Sequence, residues 1–267
     1  MQQPKSTSSG SIPPWLVLLI FKFMANRYVR RWLKISGRII FFGKYCIKST
    51  GFTTLAEAQA MEFVSEHTSI PVPRVYCAFE HKNRVYILME RIRGQDLSVG
   101  WYQRSPESKA QILAQLHTML RQLRHVPSDK GTKVSNIAGG PIYDVRLPKN
   151  SSWGPFETIH DFHRELRNGI ELKDLTDGQT LPGLRDLITF QDQDWEASVF
   201  THGDLSSTNI MARGDHVVGI IDWETAAWMP PYWEYTSAWH VNPQNQFWQK
   251  EVDKFLTPMP FELEMEV

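Results

Sequence analysis

The stretch from Val199 to Glu224 constrains this chain most. Val199-Phe200-Thr201 has strand character and runs into the polar turn His202-Gly203-Asp204-Leu205-Ser206-Ser207-Thr208-Asn209. Ile210-Met211-Ala212 and Val217 to Ile221 then flank a turn at Arg213-Gly214-Asp215, which predicts a β-hairpin. Asn209 enters this hairpin and Asp222 leaves it. A hairpin returns its two ends to one place, so an amide oxygen and a carboxylate meet there, a few residues from Asp204. The chain therefore has to build a strand–loop–hairpin unit with three oxygen-bearing side chains at one end.

The 267 residues suffice for one large domain or for two lobes sharing a cleft. An apolar share of 42% and ten tryptophans describe a folded globular chain rather than a disordered one. Lys+Arg and Asp+Glu balance at 29 each, and no basic stripe with interleaved aromatics occurs, which argues against nucleic acid as a partner. Cys46 and Cys77 make neither a C-x-x-C pair nor a disulfide framework, pointing to a reducing, cytoplasmic compartment. The apolar run Trp15 to Phe21 is too short for a transmembrane span. Lys22, Arg27, Arg30 and Arg31 follow it, whereas a signal peptide carries its charge in front. The run reads as an amphipathic helix packed on the domain, with a membrane-surface contact as the alternative.

Residues 1–11, rich in Ser, Gln, Pro and Gly, read as a loose tail. Ile39 to Lys48 predicts a hairpin turning at Gly43-Lys44, and Thr54-Leu55-Ala56-Glu57 a capping box opening a helix to about Glu66. Strands are expected near Arg74 to Phe79 and over Arg84 to Glu90, the latter buried on both faces. Ser105-Pro106 starts a helix whose apolar positions Ile112, Leu116, Met119 and Leu123 recur at helical spacing. An irregular connection over 128–158 precedes helices expected over His160 to Leu175 and Gly183 to Gln191. The fold class is thus α+β: an N-lobe over 12–92 with a helix, a shortened sheet, one further helix and a hinge, then a mostly helical C-lobe over 93–267 carrying the loop and hairpin.

His202-x-Asp204-Leu205-x-x-x-Asn209 is the arrangement in which kinases put the Asp at an acceptor hydroxyl and the Asn on a metal. Phosphoryl transfer asks for little else: an orienting carboxylate, ligands for Mg²⁺ on the phosphates, and a cation on the same phosphates. Taken singly, His202, Asp204 and Asp222 have ordinary structural readings as a backbone partner, an Asx turn and a strand-end cap. The ordered set with its hairpin favours chemistry.

Val199 to Glu224 resembles the catalytic segment of the aminoglycoside phosphotransferase and choline kinase-like group, which has the two-lobed protein kinase-like fold. Gly203 stands where protein kinases have Arg, and Asp222-Trp223-Glu224 where they have Asp-Phe-Gly. Ser65 to Tyr76 and Met89 to Gly94 further resemble phosphotransferase-family proteins of filamentous fungi. The resemblance covers roughly residues 35–255. It implies Asp204 as catalytic base, His202 as the brace of its loop, and Asn209 and Asp222 as Mg²⁺ ligands. It implies Lys48 on the α- and β-phosphates of ATP, Glu57 orienting Lys48, and Met89, Glu90, Arg91 and Ile92 as a hinge meeting adenine through backbone groups. Lys44 is an alternative to Lys48, and Glu57 has a local role as the capping-box partner of Thr54.

Only Gly37 and Gly43 precede Lys48 in this region, so no Gly-rich phosphate-covering loop is present. Two functions follow: an ATP- and Mg²⁺-dependent phosphotransferase acting on a hydroxyl of a small molecule, or a degenerate kinase-like nucleotide- or ligand-binding module. A protein kinase is disfavoured, because no A-P-E segment follows Asp222. On the acceptor side Glu224, Trp228, Trp233, Glu234 and Trp239 are available to a cationic substrate, or serve as packing between elements.

Overall fold

The computed structural model describes residues 12–32, 39–128, 130–144, 146–147, 152–175, 182–240 and 246–265; the expected tail at 1–11 and Gly37 lie outside them. Helices α1 (Pro14–Ala25) and α2 (Arg27–Trp32) come first, α1 with proline at its first position, where a missing N–H leaves no helical bond unmade. They are followed by β1 (Ile39–Phe42), β2 (Tyr45–Lys48), α3 (Leu55–His67), β3 (Val75–His81) and β4 (Arg84–Glu90). The four strands form one antiparallel sheet in the order β1-β2-β4-β3. Gly43 turns the first hairpin with a left-handed φ of 56°. Thr54 caps α3 by accepting the N–H of Glu57.

Side chains alternate across a strand, and here the two faces have separate fates. Ile47, Cys77, Phe79, Tyr86 and Leu88 pack under Val17 and Phe21 of α1 on the outer face. Cys46, Ala78, Ile87 and Met89 join Ala58, Met61 and Val64 of α3 in the main core, which continues into the larger lobe. Both cysteines are free and buried.

The larger lobe runs β5 (Gln95–Asp96), α4 (Pro106–Arg124), β6 (Ser135–Asn136), α5 (Ile159–Leu166), α6 (Leu184–Gln191), β7 (Val199–Thr201), β8 (Ile210–Arg213), β9 (His216–Ile220), β10 (Ala227–Met229), α7 (Trp233–His240), α8 (Gln246–Val252) and α9 (Pro260–Met265). Ser105 caps α4, whose Ile112, Leu113, Leu116, Leu120 and Leu123 are buried. The helix expected over His160 to Leu175 is shorter. Asn168 and Gly169 adopt φ of 55° and 78°, a left-handed stop after α5, and Leu172–Asp174 is a separate 3-10 turn. Two small sheets, β5-β8-β9 and β6-β10-β7, hold the predicted hairpin and the strand before the loop. The fold is protein kinase-like and two-lobed.

Residues between β4 and β5 lie flat on the β8–β9 hairpin because two glycines leave room. A Cβ on Gly94 would sit 2.8 Å from the Ala212 carbonyl oxygen, and one on Gly219 would sit 2.9 Å from Ile92 Cγ2. A backbone carbonyl inside a sheet cannot step aside as a side chain tip does. Gly94→Ala should therefore cost about 1–3 kcal/mol by urea denaturation, as overpacking does. An unchanged midpoint would show that the junction is looser than this contact.

Candidate active site

Lys48 stands at the end of β2, in register with Ile87 of β4, and its side chain passes under the sheet rather than into solvent. Its Nζ donates to Glu57 Oε1 at 2.8 Å, Asp222 Oδ1 at 2.5 Å and Glu224 Oε2 at 2.9 Å. Burial alone would lower the pKa of this ammonium, but the carboxylates of Glu57, Asp222 and Glu224 raise it, and Lys48 stays protonated. Burial pushes the Glu57 carboxyl up, against the pull of Lys48. Glu57 thus gives its N–H to the Thr54 cap and its carboxylate to Lys48, so only half of the expected capping box forms. Lys44, by contrast, is exposed at the hairpin turn, with its ammonium 5.5 Å from the Tyr45 ring centre. Glu224, available by sequence to an acceptor, is engaged with Lys48.

The loop after β7 is held by polar groups from several elements. Glu234, buried in α7, accepts the N–H groups of His202 at 2.6 Å and Gly203 at 3.0 Å. Thr225 Oγ1 donates to the His202 carbonyl, Arg146 Nη2 to that of Gly203, Asn209 Nδ2 to that of Asp204, and Trp248 Nε1 to that of Leu205. His202 Nδ1 accepts the Asp204 N–H, while Nε2 donates to the Ile221 carbonyl. Both ring nitrogens are therefore occupied by a neutral imidazole, and burial lowers its pKa to about 4. Gly203 has φ of 78°, and a Cβ there would meet the Thr225 carbonyl oxygen at 3.0 Å.

The predicted convergence is present. Ile221 N–H donates to the Asn209 carbonyl at 2.9 Å, closing the hairpin beside Asp222. Asp222 itself adopts φ of 66°, a left-handed geometry that aspartate tolerates better than most residues. The Asp204 carboxyl is raised to about 7 by burial and by the charge of Asp222, against Arg146, Asn209 and Ser206. One of its oxygens is buried without a hydrogen-bond partner among the described residues. The Asn209 amide, fixed by donating its N–H to the Asp204 carbonyl, keeps its oxygen as an acceptor. With Asp222 it forms an all-oxygen donor pair, which fits a hard cation such as Mg²⁺.

A cleft of about 260 Å³ between the lobes is lined by Lys48, Glu57, Met89, Glu90, Arg91 and Ile92, the residues expected at the nucleotide, and by Asp222, expected at its metal. Ile39, Phe41, Cys46, Met211 and Ile221 give it apolar walls. In the hinge, the Glu90 N–H already donates to the Arg74 carbonyl and the Arg91 N–H to that of Lys44, while the Glu90 carbonyl receives the Cys46 thiol at 3.6 Å. Glu234, Arg146 and Trp248 escape a reading of local sequence, because each reaches the loop from an element distant along the chain. Trp228 and Trp233 are packing residues, 2% and 4% exposed.

Glu234→Gln tests the clasp on the loop. A carboxamide offers one oxygen where two N–H groups need acceptors, and it turns its own N–H₂ on the other. The variant should lose about 1–3 kcal/mol in urea denaturation. Equal stability would mean that the loop does not depend on Glu234.

Residues 53–257, well over half the chain, match the phosphotransferase enzyme family (APH); Lys48 lies just before that match. Curated proteins give no significant match. Among solved structures, the aminoglycoside phosphotransferase APH(4)-Ia superposes with a TM-score of 0.59 at 13% identity, over 92% of this chain and 87% of that one. A thermostable mutant of the same enzyme, in ternary complex with AMP-PNP and hygromycin B, gives 0.56 at 13% identity over 85% and 80%. APH(3'')-Id from Streptomyces rimosus, in complex with ADP and streptomycin, gives 0.51 at 16% identity over 94% and 96%. At these identities the likeness is one of fold, while the family match covers the loop, the hairpin and Glu234: the chain belongs to the phosphotransferase enzyme family.

Proposed function

We propose that the protein transfers the γ-phosphate of ATP, with Mg²⁺, to a hydroxyl group of a small molecule. The observation that carries this reading is the meeting of Lys48 and Glu57 from one lobe with Asp222 from the other, beside Asn209 and Asp204. In it the adenine ring lies between the apolar walls of the cleft and uses the Glu90 carbonyl and the backbone of Ile92. Lys48 turns from Asp222 to the α- and β-phosphates while Glu57 keeps hold of it. Asn209 and Asp222 would hold Mg²⁺, which when bound would offset the charge of the phosphates. Asp204 orients the acceptor hydroxyl and receives its proton, and a carboxyl raised to about 7 suits a base working near neutrality. His202 braces the loop and exchanges no proton. The nucleotides in the APH(4)-Ia and APH(3'')-Id complexes support ATP as donor.

A cavity beside the loop is the place this reading gives to the acceptor. Arg146, which donates to the loop at Gly203, also lines a cavity of about 340 Å³ with Arg167, Trp233, Thr236 and His240. Among the described residues no carboxylate lines it. Arg146 and Arg167 are themselves paired with Asp144 and Asp192, so an acceptor entering this cavity would be a neutral hydroxyl compound rather than an aminoglycoside.

Asp204→Asn should leave the protein folded and nucleotide-binding but reduce phosphate transfer at least about a hundredfold, measured on an acceptor found by screening polyols, hydroxy acids and aminoglycosides. Full transfer in the variant contradicts the role of Asp204, and turnover confined to aminoglycosides contradicts the acceptor class.

A second reading, a binding module without turnover, is favoured by the two-residue turn at Gly43-Lys44, which provides no glycine-rich cover for phosphates. Thermal denaturation with Mg·ATP separates the two. Nucleotide at a hundred times its Kd stabilises by about 2.7 kcal/mol, so the melting temperature should rise, and Lys48→Met and Asp222→Ala should each diminish the rise. No rise at millimolar nucleotide would leave the module without ATP as its ligand.

A further inference from the structure

We infer that α1 is a docking face for an anionic membrane surface, on which the protein lies without crossing it. A helix on a globular domain normally buries one apolar stripe and turns a polar one to water. α1 buries one and exposes another. Val17 is fully buried, and Phe21 meets the Tyr86 ring edge-on at 5.1 Å, which completes the outer face of the sheet. On the opposite side Trp15, Leu19 and Phe23 are 66%, 61% and 64% exposed. They follow one another at four-residue spacing and so form one stripe along the helix. Beside it an open groove of about 720 Å³ runs between Leu19, Phe23, Met24, Val29 and Phe42, and among the described residues only Lys22 and Asn26 give it polar lining.

Charge selects the occupant. Residues 1–56 contain nine Lys or Arg and no Asp or Glu, Glu57 being the first acidic residue, although the whole chain is neutral. The remainder therefore holds 20 basic against 29 acidic residues. Lys22 and Arg27 are exposed at the end of the apolar stripe. A Trp/Leu/Phe stripe bordered by Lys and Arg is what an interfacial helix offers to headgroups and acyl chains, with anionic lipid adding attraction for each basic residue. A second copy of the chain fits less well, because a two-fold contact through this face would set Lys22 and Arg27 against their own images. Spanning is excluded for the helix itself, since no helix among the described residues is long and apolar enough to cross a membrane.

The sheet lies between this face and the cleft. Ile47 and Leu88 point to α1, whereas Cys46, Lys48 and Met89 point to the cleft, so docking through α1 leaves the site open to solvent.

The test uses the full chain and phosphatidylcholine vesicles with and without phosphatidylserine. Co-sedimentation with the anionic vesicles is expected, weakening as salt is raised. It should fall roughly tenfold in Trp15→Ser/Leu19→Ser/Phe23→Ser and in Lys22→Glu/Arg27→Glu, with unchanged melting temperatures. Leu19→Ser alone replaces the triple variant if the latter melts lower. Absence of binding to phosphatidylserine vesicles overturns the inference, as does binding that neither variant reduces. A lipid-free dimer that the serine variant splits, without vesicle binding, assigns the stripe to a second copy and overturns it equally.

Discussion

An ammonium group removed from water has to be compensated by partners that remain in place, because its desolvation penalty is several kcal/mol. Lys48, whose side chain is 5% exposed, meets this demand with carboxylates from two parts of the chain: Glu57 on α3, and Asp222 and Glu224 just after β9. The first is nearly fully buried, and the others are partly exposed. Glu57 is thus the enclosed partner, and solvent reaches the other two. This one ion cluster ties the sheet to α3 and the smaller lobe to the hairpin of the larger. Removing Lys48 would leave Glu57 buried without its counter-charge, so the fold itself depends on the lysine.

The loop from His202 to Leu205 depends on a different device. A segment outside helix and sheet must still satisfy its N–H and C=O groups if it is buried. Here side chains do so group by group: Glu234 for two N–H groups, then Thr225, Arg146, Asn209 and Trp248 for successive carbonyls. Such a loop is positioned from many directions and needs little regular structure of its own. The same enclosure lets Gly203 and Asp222 keep left-handed backbones, because the surroundings over-determine them. Of the two, Asp222 alone carries a side chain that makes the left-handed geometry costly.

Much of this is legible in the sequence, for local reasons. Thr54 and Ser105 announce helix starts because they cap the following N–H groups, and both do so here. Gly43-Lys44 and Arg213-Gly214-Asp215 announce hairpins, and the second hairpin brings Asn209 and Asp222 together as its geometry requires. Resemblance alone favours Lys48 over Lys44; burial and the Glu57 contact set the two lysines apart physically. What local pattern cannot reveal are partners set by tertiary packing. Glu234 lies in an aromatic run that reads as packing, and Trp248 and Arg146 carry no motif. Asn168-Gly169 does carry a stop signal for α5, but the apolar spacing beyond it masks the signal.

The charge balance of the cleft bears on what can enter it. One ammonium faces three carboxylates, and Asp204 stands near enough to Asp222 for that charge to raise its pKa. Like charges gathered in a partly desolvated cleft repel more strongly than they would in water, and a bare polyphosphate would add to the excess. On the proposed reading, therefore, a nucleotide enters together with its divalent cation. Asp222 would then hold that cation and leave Lys48 free to change partners, while Glu57 keeps the lysine in place. The phosphates then meet an ammonium that has already been positioned and whose desolvation was met during folding. On that reading, the pairing that stabilises the fold also prepares the cleft for the phosphates.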